Sequence, residues 1–198
     1  MSAFTRELDR DGGRYLSRVT HLEMDACPAG DEPDAPAGTL IETWHAPAVD
    51  AYLALFRRVG EPWLWYGRLR QSRESIAAHL RAPTTELYRL WVDEVLAGFV
   101  ELDRSTPDET EIAYFGLVPG YPGRGLGGYL LRVAVQRAWR GDIRRVWLHT
   151  CSEDHPDALA IYQHVGFRPF AVETQWVRDP RLAGLLPRSA APHVPIPE

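Results

Sequence analysis

The rhythm of hydrophobic and polar positions changes several times along the chain, and each change marks an element. Tyr15 to Met24 alternates with the period of two expected of a half-buried strand. Between Asp25 and Gly38 the prolines and acidic residues of Ala26-Cys-Pro-Ala-Gly-Asp-Glu-Pro-Asp-Ala-Pro-Ala37 can bury no face, which predicts a loop inside the domain. Thr39 to Trp44 is a short strand. Pro47 then opens a helix in which Val49, Leu53, Leu55, Phe56 and Val59 recur at helical spacing until Gly60 stops it. A second helix, N-capped by Ser72, runs to Leu80.

Three apolar runs follow: Glu86 to Val92, Val95 to Leu102 and Glu111 to Val118. Asp93-Glu94 and the segment from Ser105 to Glu109 join them, both short enough for antiparallel hairpins. The third run is apolar on both sides after its first residue, the pattern of a central strand covered on both faces. From Gly125 to Arg140 a helix sets Leu126, Leu130, Ala134 and Ala138 on one stripe and turns Arg132, Gln136, Arg137 and Arg140 to water. A strand from Val146 to Cys151, a helix from Pro156 to Val165 and a strand from Phe167 to Val177 complete the pattern. Hairpins that precede a crossover through a helix predict an α/β (α+β) fold, a mixed, mostly antiparallel central sheet flanked by helices. One domain is expected over residues 14–178. Residues 1–13 read as a disordered tail, and residues 179–198 as a peripheral one unless Leu182, Leu185 and Leu186 dock.

Composition narrows the function classes. The 198 residues are 45% hydrophobic, enough for one substantial core. A net charge of -5 with no long Lys/Arg run argues against nucleic acid as a partner. No apolar stretch approaches a membrane span, the start has no apolar secretory region, and Cys27 and Cys151 are too few for a disulfide framework. A cytoplasmic protein with no membrane partner is expected. His149, Cys151 and His155 invite a metal, but paired chelating spacing is missing, so no metal is expected, and the strand position predicts burial beside a cleft.

The chemistry concentrates in Gly116-Leu-Val-Pro-Gly-Tyr-Pro-Gly-Arg-Gly-Leu-Gly-Gly-Tyr-Leu-Leu131. Gly123, Gly125, Gly127 and Gly128 carry no Cβ, so their N–H groups can converge on an anion at the positive end of the following helix. A phosphate or pyrophosphate is the expected guest. A nucleoside triphosphatase loop would need Lys and Ser/Thr where Gly127-Gly128-Tyr129 stands, and a dinucleotide fold would place the motif after its first strand. A turn that only lets a helix pack tightly on a strand is the alternative from these residues alone.

Pro122-Gly-Arg-Gly-Leu-Gly127, preceded by Glu111-Ile-Ala-Tyr-Phe-Gly-Leu-Val118 and followed by Ala158-Leu-Ala-Ile-Tyr-Gln-His-Val-Gly-Phe167, resembles the GNAT superfamily of acyl-CoA-dependent N-acyltransferases. The resemblance implies acetyl-CoA as acyl-donor co-substrate and a small-molecule or peptide amine as acceptor, joined by direct attack in a ternary complex. It implies that Gly123, Arg124, Gly125, Leu126, Gly127 and Gly128 hold the pyrophosphate. The backbone of Leu117 and Val118 would pair with the pantetheine arm, and an N–H from Gly116 to Val118, where the family strand usually bulges, would stabilise the tetrahedral oxyanion. Glu111 would be the general base and Tyr162 the general acid that protonates the leaving thiolate. Glu101 would be a second base or bind the ammonium. Trp63 and Tyr66, beside Trp65, lie in a segment that borders the family's acceptor pocket.

Two positions depart from the pattern. Pro122 stands where Gln or Arg is common, and His155 replaces an asparagine that often contacts CoA, from which it could still donate a hydrogen bond. An idle CoA-binding or sensing module and a transferase of a longer acyl group are the alternatives. Retention of Glu111 and Tyr162 favours the enzyme. A homodimer is left open.

Overall fold

In the computed structural model, which describes residues 7–9 and 12–197, eight strands share one sheet. They are β1 (Leu8–Asp9), β2 (Arg14–Met24), β3 (Thr39–Thr43), β4 (Thr85–Val92), β5 (Val95–Asp103), β6 (Glu109–Leu117), β7 (Arg145–Cys151) and β8 (Arg168–Arg178). The helices are α1 (Val49–Gly60), α2 (Arg73–Arg81), α3 (Leu126–Ala138) and α4 (Ala158–Val165), with 3-10 turns at Glu61–Trp63 and Arg68–Arg70. Most of the tail expected to be disordered falls outside the described residues; within them Leu8 and Asp9 fold back onto Tyr15 and Arg14.

The sheet runs β1-β2-β7-β6-β5-β4-β3, with β8 paired to β2. Only β6 and β7 are parallel; every other pair is antiparallel. The mixed, mostly antiparallel sheet is the one the pattern predicts. Asp93 and Glu94 both take positive φ, 46° and 64°, the primed-turn geometry that matches strand twist in a two-residue hairpin. The predicted cap on α2 is present: Ser72 Oγ accepts the Ser75 N–H at 3.1 Å.

Strand alternation sorts the core into two layers. Leu90, Leu102, Val146 and Leu148 pack under the α3 stripe Leu126, Leu130, Ala134 and Ala138. Their sequence neighbours Leu87 and Phe99 turn the other way, to Tyr52, Phe56 and Val59 of α1 and Ile76 and Leu80 of α2. A third cluster was not legible in the pattern. Leu186, Ala190, Ala191 and Val194 pack with Tyr15, Leu64 and Val177, so the C-terminal segment docks. Arg181 anchors it: its guanidinium pairs with buried Asp179 at 2.6 Å and donates to the carbonyls of Ala190, Ala191, Val194 and Pro195.

Two irregularities create an opening. β6 and β7 pair only at Glu109↔Arg145, Thr110↔Val146 and Glu111↔Trp147, and beyond that the strands part. The bulge expected at Gly116 to Val118 lies instead at Ala113, because Glu101 faces Tyr114 while Leu102 faces Ile112. Gly116 has a different reason to be glycine: a Cβ there would lie 2.5 Å from Val59 Cγ1 and 3.2 Å from Trp65 Cη2.

Candidate active site

The fork between β6 and β7 opens into a cavity of about 1020 Å³. One end is the glycine turn. Gly123 and Gly125 occupy the left-handed region at φ 81° and 75°, and nothing lies within 4 Å of where their Cβ atoms would be. Glycine is therefore needed there for backbone conformation and not for space. Gly125 caps α3, its carbonyl accepting the Tyr129 N–H at 3.1 Å. The first N–H groups of a helix have no intrahelical acceptor, and at this end Gly123, Gly125, Gly127 and Gly128 line the cavity.

Some expected cofactor contacts are placed elsewhere. The Arg124 side chain is exposed, its guanidinium 5.6 Å from the centre of the Tyr121 ring, and it does not line the cavity. The Leu126 side chain is in the core. Val118 is buried; its N–H donates to Ala97 O at 2.8 Å, and its carbonyl accepts from Tyr121 at 3.2 Å. Successive residues in a strand point their N–H groups to opposite sides, so Leu117 turns its N–H away from β5, toward the fork. Phe115 does the same. Leu117 and Phe115 thus present their N–H groups to the fork, and Val118, bonded to Ala97, does not. Arg132, assigned to water by the helix pattern, lines the cavity one turn beyond Gly128. The i, i+4 spacing from that glycine is the signal that could have found it.

Tyr162 enters from α4 between Phe115 and Phe167, each ring centroid 6.2 Å away. Burial first, then the charges of Asp154 and Cys151, push its pKa up, so its phenol keeps its proton. His155 lines the cavity and meets the Trp63 ring edge-on at 5.2 Å. Trp63 and Tyr66 line the cavity with Trp65, whose Nε1–H donates to Asp154 at 3.1 Å. Asp154 also accepts from the Thr150 hydroxyl at 2.9 Å and the Cys151 N–H at 2.8 Å. Periodicity gave no hint of it, because it sits in a loop and its partners converge only in the fold.

The two glutamates diverge. Glu101 is fully buried and away from the cavity, so it does not meet an incoming amine. Its carboxylate accepts from Tyr52 at 2.5 Å, from His79 at 2.8 Å and from Arg68. Burial works against the charged form, but the His79 hydrogen bond, the Arg68 charge and the Tyr52 hydroxyl outweigh it and hold the pKa below the ordinary value. Glu111 lies at the last paired position of the fork, with Oε1 3.6 Å from His149 Nδ1. His149 lines the cavity; Glu111 does not. Among the described residues no group of three or more His, Cys, Asp or Glu is placed to hold a metal ion.

A model of the acetyltransferase (GNAT) family matches residues 41–167. The chain belongs to the GNAT family. The matched span runs from β3 through α4 and includes the fork, the glycine turn and Tyr162. Mycothiol acetyltransferase of Corynebacterium efficiens is 32% identical over 102 residues, 52% of this chain and 33% of that protein. Mycothiol acetyltransferase of Salinispora arenicola is 29% identical over 170 residues, 84% of this chain and 50% of that one. N-alpha-acetyltransferase RimI of Mycobacterium tuberculosis is 37% identical over 82 residues, 41% and 49% of the two chains. The GNAT chain described here therefore spans half or less of these relatives' length. A GCN5-related N-acetyltransferase from Kribbella flavida superposes with a TM-score of 0.58 at 21% identity, covering 87% of this chain and 63% of that one, a likeness of fold.

Proposed function

We propose that the protein transfers an acetyl group from acetyl-CoA to a primary amine of a small molecule or peptide, by direct attack in a ternary complex. One observation carries this: a single cavity is lined by the glycines of a helix N-terminus, by Trp63, Trp65 and Tyr66, and by Tyr162 with its proton in place. The residues present fit acetyl-CoA. Gly123, Gly125, Gly127 and Gly128 offer backbone N–H groups and Arg132 a guanidinium to the pyrophosphate. The N–H groups of Phe115 and Leu117 face the fork, where they can pair with the pantetheine arm and hold the carbonyl oxygen as it gains charge.

The amine sits against Trp63, Trp65 and Tyr66, and its proton leaves toward the Glu111 side of the fork. Tyr162 returns a proton to the departing thiolate. Cys151 also lines the cavity, but burial, then Asp154 and Glu153, push its thiol pKa up. A protonated thiol is a poor nucleophile, which favours direct attack over an acyl-cysteine intermediate. The relatives named for mycothiol and for N-alpha acetylation favour a small-molecule or peptide acceptor.

Thiol release from acetyl-CoA is measured against spermidine, glucosamine and a short alanyl peptide. Saturable release that falls about 100-fold in Tyr162→Phe supports the proposal. Thermal stabilisation by acetyl-CoA with no amine turned over would make the protein a binding module instead.

A further inference from the structure

We infer that His149 is the residue that takes the proton from the amine, with Glu111 as the positioning carboxylate behind it. This rests on the acetyl-transfer reading above. Glu111 is the last β6 residue paired to β7, opposite Trp147, and it does not line the cavity. His149 lies two positions past Trp147, on the same face, where β7 has left β6. It reaches both sides: its ring lines the cavity, and its Nδ1 faces Glu111 Oε1 at 3.6 Å. A carboxylate beside Nδ1 selects the tautomer with the proton on that nitrogen and leaves the Nε2 lone pair free. The arrangement has the orientation logic of a nucleophile's base held by an acid, here serving an incoming amine.

The step balances without a further reactant. The substrate ammonium loses one N–H bond, its proton passes to Nε2, and the electron pair stays on the amine nitrogen, which then attacks the thioester carbonyl. His149 becomes an imidazolium facing Glu111. His149 releases its proton to solvent after product release. The attacking nitrogen loses its second proton as the amide forms, and that proton replaces the one Tyr162 gives to the departing thiolate, so one proton is released overall.

Four groups face His149 from the elements packed around it. They are Glu111 on β6, His21 directly opposite on β2 with ring centroids 5.9 Å apart, Glu173 on β8 at 3.1 Å from His21, and Asp154 in the loop after β7. The Glu111 carboxylate, 3.6 Å from Nδ1, is the largest influence and raises the His149 pKa; partial desolvation opposes it, and the charges of Asp154 and Glu173 add to the rise. Only neutral His149 accepts a proton. Turnover therefore climbs as pH rises through a value above the ordinary imidazole pKa near 6.5. Removal of the Glu111 charge moves that limb to lower pH.

The test is kcat against pH at saturating acetyl-CoA, with whichever of spermidine, glucosamine and the alanyl peptide turns over fastest. His149→Gln is expected to lower kcat about 100-fold, abolish the acidic limb and leave the Kd for acetyl-CoA unchanged by calorimetry. Glu111→Gln is expected to lower kcat about tenfold and shift the limb to lower pH. Ionisation of the amine itself adds a limb common to all variants, so the difference between profiles isolates His149. NMR titration of the His149 ring in the wild type and in Glu111→Gln reads the same coupling without turnover. Wild-type kcat and pH profile in His149→Gln would overturn the role of His149 and leave acetyl transfer standing. An unmoved ring titration in Glu111→Gln would overturn the pairing. A wild-type protein that turns over none of the three amines overturns acetyl transfer and this role together.

Discussion

At the scale of single residues, the cofactor end of the cavity depends on side chains that are missing as much as on those present. Pro122 supplies no donor where the family motif usually has one, and Arg124 leans over Tyr121, away from the cavity. Arg132 is then the cation closest in sequence to the glycine turn that also lines the cavity. A charge-assisted hydrogen bond to a phosphate contributes about 1.5–3 kcal/mol, and 1.4 kcal/mol is tenfold in affinity. Arg132→Ala is accordingly expected to weaken acetyl-CoA binding about tenfold by isothermal calorimetry, whereas Arg124→Ala leaves it unchanged. That the glycines and Tyr162 line one cavity follows motif spacing and backbone conformation, which are local properties of the sequence. Arg132 is exposed, as the helix pattern has it, but that pattern separates only core from non-core and does not show that the residue also lines a cavity.

At the scale of elements, strands and helices follow the hydrophobic period closely, and failures fall where an element's purpose lies in distant partners. Glu101 stands in a strand whose neighbours Val100 and Leu102 are buried, so a charge there suggests a cleft. The fold instead buries it and brings Arg68 and His79 to it from the 3-10 turn and α2, contacts that no local pattern encodes. The Arg68 guanidinium also lies 5.3 Å from the centre of the Tyr114 ring, which lines the cavity, so this ion cluster braces the segment that carries Trp63, Trp65 and Tyr66. Glu101→Gln leaves Arg68 largely buried without its countercharge and is expected to cost about 3–5 kcal/mol in chemical denaturation. The pH dependence has a definite sign. The Glu101 pKa is lowered in the folded state, so its contribution is present above the unfolded carboxylate value near 4.3 and is lost as pH falls through the lower, folded one. The stability curve of Glu101→Gln should lack that acid-limb loss.

At the scale of the whole molecule, the side of the cavity proposed to take the amine is assembled from β2 and β8, strands far apart in sequence. β2 lies between β7 and β8, placing Tyr15 and Ser17 opposite Val177 and Gln175. All four line the cavity. The C-terminal segment then closes over Leu64 and Tyr15, pinned by Arg181. The glycine-turn end, proposed for the cofactor, belongs to a different cluster, built from α3, α4 and the centre of the sheet. This division predicts separable effects of one substitution. Arg181→Ala removes the pin and leaves Asp179 as a buried, unpaired carboxylate, an expected loss of about 3–5 kcal/mol in folding stability. Because Leu64 and Tyr66 pack in the cluster that Arg181 holds, amide hydrogen exchange should rise between residues 64 and 69 and the KM for the amine should increase. The Kd for acetyl-CoA should stay unchanged, since α3, which the glycine turn caps, packs in the other cluster. A parallel loss of both affinities would show that the two ends of the cavity are mechanically one unit, and that the C-terminal segment supports the whole sheet and not the acceptor wall alone.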